Sequence, residues 1–411
     1  MNSELLRIVE NIARDKNVDP EYIFEDLEAA MVSAVKKYLG QPESEIIVQI
    51  DRETGALSAW NEGESIDVKK LGRIPAQTAK QVMIQKIRQD ERSSIYSEFS
   101  ERKGEIVSGN IVRYEGPNAI VALNSRTEAI LPRGEQISGQ SHRTGERIRA
   151  LLYDVKESTS QVKILLSRTH PDFIRGLFEL EVPEIAEGII ETHALAREAG
   201  YRTKIAVAST DEKVDPVGAC VGIRGSRIKN IVDELGGEKI DIVRWSESSQ
   251  ELIKNALMPS KISEIALCFE LGRASVVVDP QQLSLAIGRH GQNVRLAARL
   301  TGWDIDILTP DEYNEGVDKL TECVTSVEGV TEQAVDQLIA LGVISVIDLA
   351  DIGSQPLIEE LGFEQELAKK LVETAEQKAK EIAASEEKNK AKDLLEKETK
   401  KQKPEQEQSE S

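Results

Sequence analysis

Large rings are scarce in this chain: aromatic side chains make up 4% of its 411 residues, against 40% for all hydrophobic types together. The composition is globular but poor in large core side chains, and it offers few flat faces on which bases could stack. No run of about 18 apolar residues occurs, so no membrane-crossing helix is expected. The opening Met1-Asn2-Ser3-Glu4-Leu5-Leu6 has no basic stretch followed by an apolar core, and so does not read as a secretory signal. Cys220, Cys268 and Cys323 lie far apart without zinc-ligand spacing, and four scattered histidines do not repair that. A reduced cytoplasmic protein fits these absences. Also missing are a Gly-x-x-x-x-Gly-Lys-[Ser/Thr] phosphate loop, a metal-binding histidine pair and a Ser/His/Asp arrangement that spacing supports. No catalytic residue, metal site or cofactor is therefore expected.

Positive charge is short too. The 72 acidic residues outnumber the 52 basic ones and leave a net charge of −20, which argues against a nucleic-acid partner until the distribution is mapped. Residues 1–100 sum to −5, 101–200 to −2, 201–310 to 0 and 311–411 to −13, so the last quarter carries about two thirds of the excess. Within 201–310 the cations cluster as Arg224, Arg227 and Lys229, then Arg289, Arg295 and Arg299. Local potential governs phosphate binding more than global charge does.

What the sequence does contain is a repeated loop. Gly222-Ile223-Arg224-Gly225 and Gly288-Arg289-His290-Gly291 lie 66 positions apart, and each opens an amphipathic helix. A Gly-x-x-Gly turn at a helix start lets the backbone approach a phosphate chain, with the unpaired helix N–H groups facing the anions. It is the loop of the KH fold, which clamps about four nucleotides of single-stranded nucleic acid. One such loop is weak evidence; here three constraints coincide. Each loop follows an expected β-hairpin and short helix. Each opens a helix with an apolar face, Ile228, Ile231, Val232 and Leu235 in the first and Val294, Leu296, Ala297 and Leu300 in the second. Each helix ends at glycine before a last strand, at Gly236-Gly237 and at Gly302.

The candidate RNA-binding residues are Gly222, Ile223, Arg224, Gly225, Ser226, Arg227 and Lys229 in the first loop, and Gly288, Arg289, His290, Gly291, Asn293 and Arg295 in the second. The glycines permit close backbone approach. Arg224 and Arg289 can reach phosphate, and Arg227, Lys229 and Arg295 extend that track; the plainer alternative for these last three is an exposed helix face. His290 either contacts a phosphate, stacks on a base or has no role. Trp245 and Trp303 flank buried strands and are expected to plug the junction between modules.

Around the loops the chain reads as a multidomain α+β protein. Residues 1–100 form an α/β N-terminal domain: Asp19-Pro20 starts a helix along Phe24, Leu27, Met31, Ala34 and Tyr38 that ends at Gly40. A hairpin turns at Glu53-Thr54-Gly55, and a basic helix spans Ala76–Phe99. Residues 101–168 carry five short β runs and suggest a small barrel of S1-type OB architecture, with Tyr114 and Tyr153 the candidates for stacking. Whether this barrel holds RNA or serves as a spacer is open from the residues. Residues 169–246 and 247–310 form two KH modules of the type II order β-β-α-loop-α-β, each preceded by a helix. Residues 316–380 resemble a helix-hairpin-helix bundle whose acidic ring, Asp311, Glu312, Glu315, Asp318 and Glu322, repels phosphate and favours a protein-binding or masking role. Residues 381–411 read as a charged, disordered tail.

The strings Asp215-Pro216-Val217-Gly218-Ala219-Cys220-Val221-Gly222-Ile223-Arg224-Gly225-Ser226-Arg227 and Gly237-Glu238-Lys239-Ile240-Asp241-Ile242-Val243 resemble the first KH module of the NusA family of bacterial transcription factors. Leu283-Ser284-Leu285-Ala286-Ile287-Gly288-Arg289-His290-Gly291-Gln292-Asn293-Val294-Arg295-Leu296-Ala297 resembles the second. The resemblance covers roughly residues 1–310. It implies a non-enzymatic elongation factor that docks on the RNA polymerase core through residues 1–100. It further implies that the barrel and KH modules hold nascent single-stranded RNA, with effects on pausing, termination and antitermination. Other Nus factors and Rho are implied as further partners, a membrane is not, and a monomer is expected. A ribosome-assembly protein and a component of an RNA-processing exonuclease are the alternatives.

Overall fold

The computed structural model describes residues 6–384 except 8, 11–12, 15–18, 41–43, 62, 67–73, 159–160, 328, 331 and 383. The chain divides into two compact units, Met1–Arg133 with Arg143–Ser167, and Gly134–His142 with Arg168–Ser411.

In the first unit, helix Pro20–Leu39 starts where the Asp19 carboxylate accepts from the Glu21 N–H at 3.0 Å, and stops at a left-handed Gly40. Its buried side chains Phe24, Leu27, Met31 and Val35 pack on Ile46, Val48 and Ile50 of strand β1 (Ile46–Ile50). β1 pairs antiparallel with β2 (Leu57–Asn61), and Asp51 holds the turn by accepting from the Glu53 and Thr54 amides. A third strand, β3 (Glu64–Ile66), extends this sheet; three residues beside a glycine carry too little alternation to be seen in the sequence. Helix Ile74–Glu101 follows. It delivers Phe99 into the apolar centre of a closed five-stranded barrel, where Phe99 meets Val107, Ile111, Leu131, Leu152 and Ile164. The barrel order is β4–β5–β6–β8–β7, from β4 (Ile106–Glu115), β5 (Asn118–Ala122), β6 (Glu128–Leu131), β7 (Arg147–Glu157) and β8 (Val162–Ser167).

The second unit opens with two proline-started helices, Pro171–Glu181 and Pro183–Ala186. Strands β9 (Ile190–Glu198) and β10 (Arg202–Ser209) pair antiparallel, helices Pro216–Val221 and Ser226–Glu234 flank the first loop, and β11 (Lys239–Arg244) joins β10 in parallel. The plan then repeats. Helix Ser249–Ala256 leads to the antiparallel pair β12 (Ile262–Cys268) and β13 (Arg273–Val278). Helices Pro280–Ile287 and Gln292–Thr301 flank the second loop, and β14 (Asp304–Leu308) lies parallel to β13.

The two repeats share one core. Ala196, Ala206 and Val243 of the first lie in the same apolar cluster as Ala274, Val276, Leu296 and Leu300 of the second. Helix Gln292–Thr301 packs against β9 and β10, so it serves its own module on one side and covers its neighbour's sheet with the other. β10 is consequently buried from Thr203 to Val207, Lys204 included. The Lys204 ammonium is tolerated because the Asp241 carboxylate lies 2.9 Å away. Trp245 and Trp303 pack against this cluster as expected, with Trp245 stacked on His193 at 4.0 Å between centroids.

The C-terminal helices are Pro310–Thr325, Glu332–Ala340, Val346–Ile352, Ser354–Glu359 and a helical stretch over 365–382. The first begins at Pro310 rather than at 316, because Thr309 and Glu312 form a reciprocal capping box. Their apolar core, including Leu320, Leu338, Leu349 and Leu371, also takes in Cys268 and Leu271 of the β12–β13 hairpin. Arg273 at the start of β13 bonds Asp348 at 2.6 Å and Asp351 at 3.3 Å. The turn at Gly342 lies so close to β12 that a Cβ there would overlap the Leu267 carbonyl. The charged tail expected at 381–411 lies outside the described residues from 385 onward.

Gly342→Ala should therefore cost more than the roughly 1–2 kcal/mol of a left-handed backbone alone. Gly362→Ala, also at positive φ but with no atom near its Cβ, should show only that smaller cost. Denaturant unfolding of the two variants measures the difference, and equal losses would contradict the close contact.

Candidate nucleic-acid interface

The two loops have the same backbone at matched positions. Gly222 has φ 74° and ψ 176°, and Gly288 has φ 74° and ψ 175°, a region that is essentially glycine-only. Two residues on, Arg224 (φ 53°) and His290 (φ 54°) are left-handed; they are the only non-glycine residues at positive φ among the described residues. Gly225 and Gly291 follow, left-handed again, as N-caps of the next helices. Non-glycine residues in this conformation cost about 1 kcal/mol or more, and such strain concentrates at functional sites. The sequence repeat is thus a conformational repeat, with Ile223 matched to Arg289 and Arg224 to His290.

These four side chains are exposed, and Ile223 is 85% accessible despite being aliphatic. Lys229, in the next helix, is exposed as well. Together the loops present Arg224, Lys229, Arg289 and His290 to solvent beside the opening turns of two helices, an arrangement suited to a phosphate chain.

The other candidates are placed differently. Arg227 is half-buried: its guanidinium donates to the Ala219 carbonyl at 2.7 Å and to Glu184 at 2.8 Å. Asn293, at the matching position of the second module, is buried and donates to the Ala286 carbonyl at 3.0 Å. Both therefore tie the helix after the loop to the helix before it, and shape the loop from behind. Ser226 is exposed at the first helix start, whereas its counterpart Gln292 donates to Glu198 at 2.7 Å. Arg295 reaches the same carboxylate at 2.6 Å while remaining nearly half exposed. Glu198 ends β9, so this cluster pins the first module's hairpin to the second module's loop helix.

Sequence reasoning did not single out Glu184 or Glu198. They lie 43 and 97 positions from their arginine partners, beyond any local spacing rule, and the fold alone brings them near. Burial tends to raise the Glu198 pKa, but Gln292, Arg295 and Arg299 outweigh it and hold the carboxyl below its ordinary value. For Glu184 its own backbone N–H is the main cause of a lowered pKa, opposed by burial and aided by Arg227. Beside the first loop lies a pocket of about 440 Å³ with Glu184, Gly218, Gly222, Ser226 and Arg227 in its wall. Cys220, within the Pro216–Val221 helix, is fully buried, and burial pushes its thiol up to about 12, which leaves it inert at neutral pH. On the barrel, Tyr114 is exposed and Tyr153 half-buried.

The chain is similar to known proteins over most of its length. The model of the NusA-like first KH domain matches residues 168–245, that of the NusA-like second KH domain matches 249–315, and that of the NusA N-terminal domain matches 4–66 and 62–93. A transcription termination/antitermination protein NusA from Halalkalibacterium halodurans is 41% identical over 347 residues, covering 77% of this chain and 90% of that protein. The Bacillus subtilis protein of the same name is 40% identical, over 77% of this chain and 93% of the relative. The Rickettsia conorii one is 38% identical over 406 residues, 89% of this chain and 80% of the relative.

Two outcomes follow from the geometry. A Cβ on Gly288 would stand 2.9 Å from the Asn293 backbone nitrogen, whereas one on Gly291 meets nothing within 4 Å. Gly288→Ala should therefore lower the thermal midpoint more than Gly291→Ala; the reverse order would contradict the loop conformation. Because the Glu198 carboxyl is held low, its contribution to stability is present above the unfolded-state value of about 4.3 and is lost as pH falls through the folded-state value. Acid unfolding followed by tryptophan fluorescence should be less steep in Glu198→Gln over that window.

Proposed function

The chain belongs to the NusA family, and on that premise we infer that it is an RNA-binding factor of transcription termination and antitermination. The observation that carries the RNA contact is the pair of loops, alike in backbone to within a few degrees and each lined by exposed cations. Their ligand is nascent single-stranded RNA, whose sugar–phosphate backbone can approach the glycine N–H groups while bases turn toward the adjoining helices. Arg224, Lys229, Arg289 and His290 supply the phosphate contacts. Arg227 and Asn293 hold the loop shape, and Arg295 is shared with Glu198. The five-stranded barrel acts as an S1-type OB domain on the same transcript, with Tyr114 as its exposed ring.

Residues 1–100 dock on the RNA polymerase core. Tethering there makes weak RNA contacts effective, because the emerging transcript is held at high local concentration. Other Nus factors and Rho act through the same complex. The factor works without catalysis, as a cytoplasmic monomer. Among the described residues no helix is long and apolar enough to cross a membrane, and no cluster of side chains is suited to hold a metal ion.

Titration of single-stranded RNA against the full chain tests the clamp. Gly291→Asp places a carboxylate into open space, and Gly225→Asp meets only the Ile228 side chain at an ordinary 3.8 Å, both in a conformation that Asp tolerates. The double variant should fold and bind RNA at least about tenfold more weakly, a loss of ~1.4 kcal/mol or more. Wild-type affinity should fall with salt at a slope near −0.7 per phosphate contacted. Unchanged affinity in the folded double variant would contradict the clamp.

A further inference from the structure

A carboxylate stands near each loop, but in different settings. Glu198 is held by Gln292 and Arg295 on the helix after the second loop, whereas the carboxylate at the first loop lines a pocket. Glu184 comes from the short Pro183–Ala186 helix, upstream of the module's hairpin, and forms part of the wall of the pocket next to Gly222 and Ser226. It remains about one quarter exposed, and Arg227 fixes its position through an ion pair of 2.8 Å. Arg227 is itself fixed by its bond to the Ala219 carbonyl. At the matching positions of the second module, Leu285 stands for Ala219 and Asn293 for Arg227, so the pair is not repeated there.

An ionised carboxylate repels phosphate and accepts hydrogen bonds without donating any. A group that settles against it must therefore donate a hydrogen bond. On an RNA strand whose phosphates run along the glycine loop, the ribose 2′-OH can do so whatever the base, and base N–H groups can do so with regard to base identity. The exocyclic amino group of cytosine or adenine matches a carboxylate acceptor, as do the N–H groups of guanine, whereas at the position that separates cytosine from uracil the uracil O4 turns a second acceptor toward it and leaves only N3–H to donate. We propose that Glu184 sets the base preference of the first loop, by accepting a hydrogen bond from the amino group of a cytosine or adenine seated in this pocket. The inference rests on the RNA-binding reading of the loops. In it Arg227 is a positioning residue that aims the carboxylate, and the second loop, lacking the pair, holds the strand with less regard to base.

Short oligo(C) and oligo(U) test this on the full chain, because the two bases have the same ring size and differ at the edge in question. The wild type should bind oligo(C) about tenfold more tightly, the scale of one well-placed edge contact. Glu184→Gln keeps the side-chain size and can still accept from Arg227, but adds an amide donor that suits uracil O4. It should bring the ratio close to one while leaving the salt slope for each RNA unchanged. Oligo(N4,N4-dimethylcytidine), which lacks the donors, should bind the wild type no better than oligo(U), an arm that needs no variant. A wild type without preference for oligo(C), or a ratio unmoved by both the Gln variant and the methylated base, overturns the inference and leaves the RNA clamp intact. Failure of the wild type to bind any of the three RNAs overturns the clamp itself, and the inference with it.

Discussion

The geometry of the paired loops depends on one buried contact, the covering of the first KH sheet by the helix that follows the second loop. Helix Gln292–Thr301 places Leu296 and Leu300 in the cluster that also holds Ala206 and Val243, so the two modules cannot separate without exposing a shared apolar core. Each loop is braced from behind by Arg227 or Asn293. The shared core holds one loop relative to the other. In the proposed clamp, two loops held at a fixed spacing would act on one strand as a single longer site.

Polar contacts at the rim of that core tie the site to the fold. Glu198 at the end of β9 accepts from Gln292 and Arg295, residues of the second loop's helix, so the start of that helix is held by the neighbouring module. Arg273, with Asp348 and Asp351, fastens the C-terminal helices to the far hairpin, and those helices share Cys268 and Leu271 with the second module. The acidic C-terminal part of the described chain is in this respect a continuation of the second KH module rather than a separate body strung from it. The excess negative charge of the chain and the basic loops coexist because acidic and basic groups are segregated, with individual carboxylates paired to cations where the two meet.

Much of this was legible in the sequence, for identifiable reasons. The loops, the flanking hairpins and the parallel last strands follow from Gly-x-x-Gly turns set between segments of different hydrophobic period. Helix Pro20–Leu39 announces both its ends, with Asp-Pro at the start and Gly40 at the stop. The five barrel strands lie close to where alternation and turn residues place them. What local pattern could not supply was tertiary. β3 is too short to show a period, and the capping box at Thr309 moved a helix start that apolar spacing alone set later. From the sequence Arg227 is expected to extend an RNA track because it sits one turn beyond the loop, and Asn293 is a candidate RNA-binding residue. Their engagement by Ala219, Glu184 and Ala286 appears only once the preceding helix is folded back against them. Glu184 and Glu198 had no signal at all, since carboxylates far along the chain acquire meaning only through packing.

In the proposed clamp, the paired loops are where RNA meets this protein. Photo-crosslinking of a 4-thiouridine-labelled single-stranded RNA to the full chain, with the attached peptides mapped by mass spectrometry, tests it most directly. The account predicts crosslinks within 222–229 and 288–295, at both loops on the same RNA. Crosslinks confined to the barrel or to the C-terminal helices, with none at either loop, would contradict it.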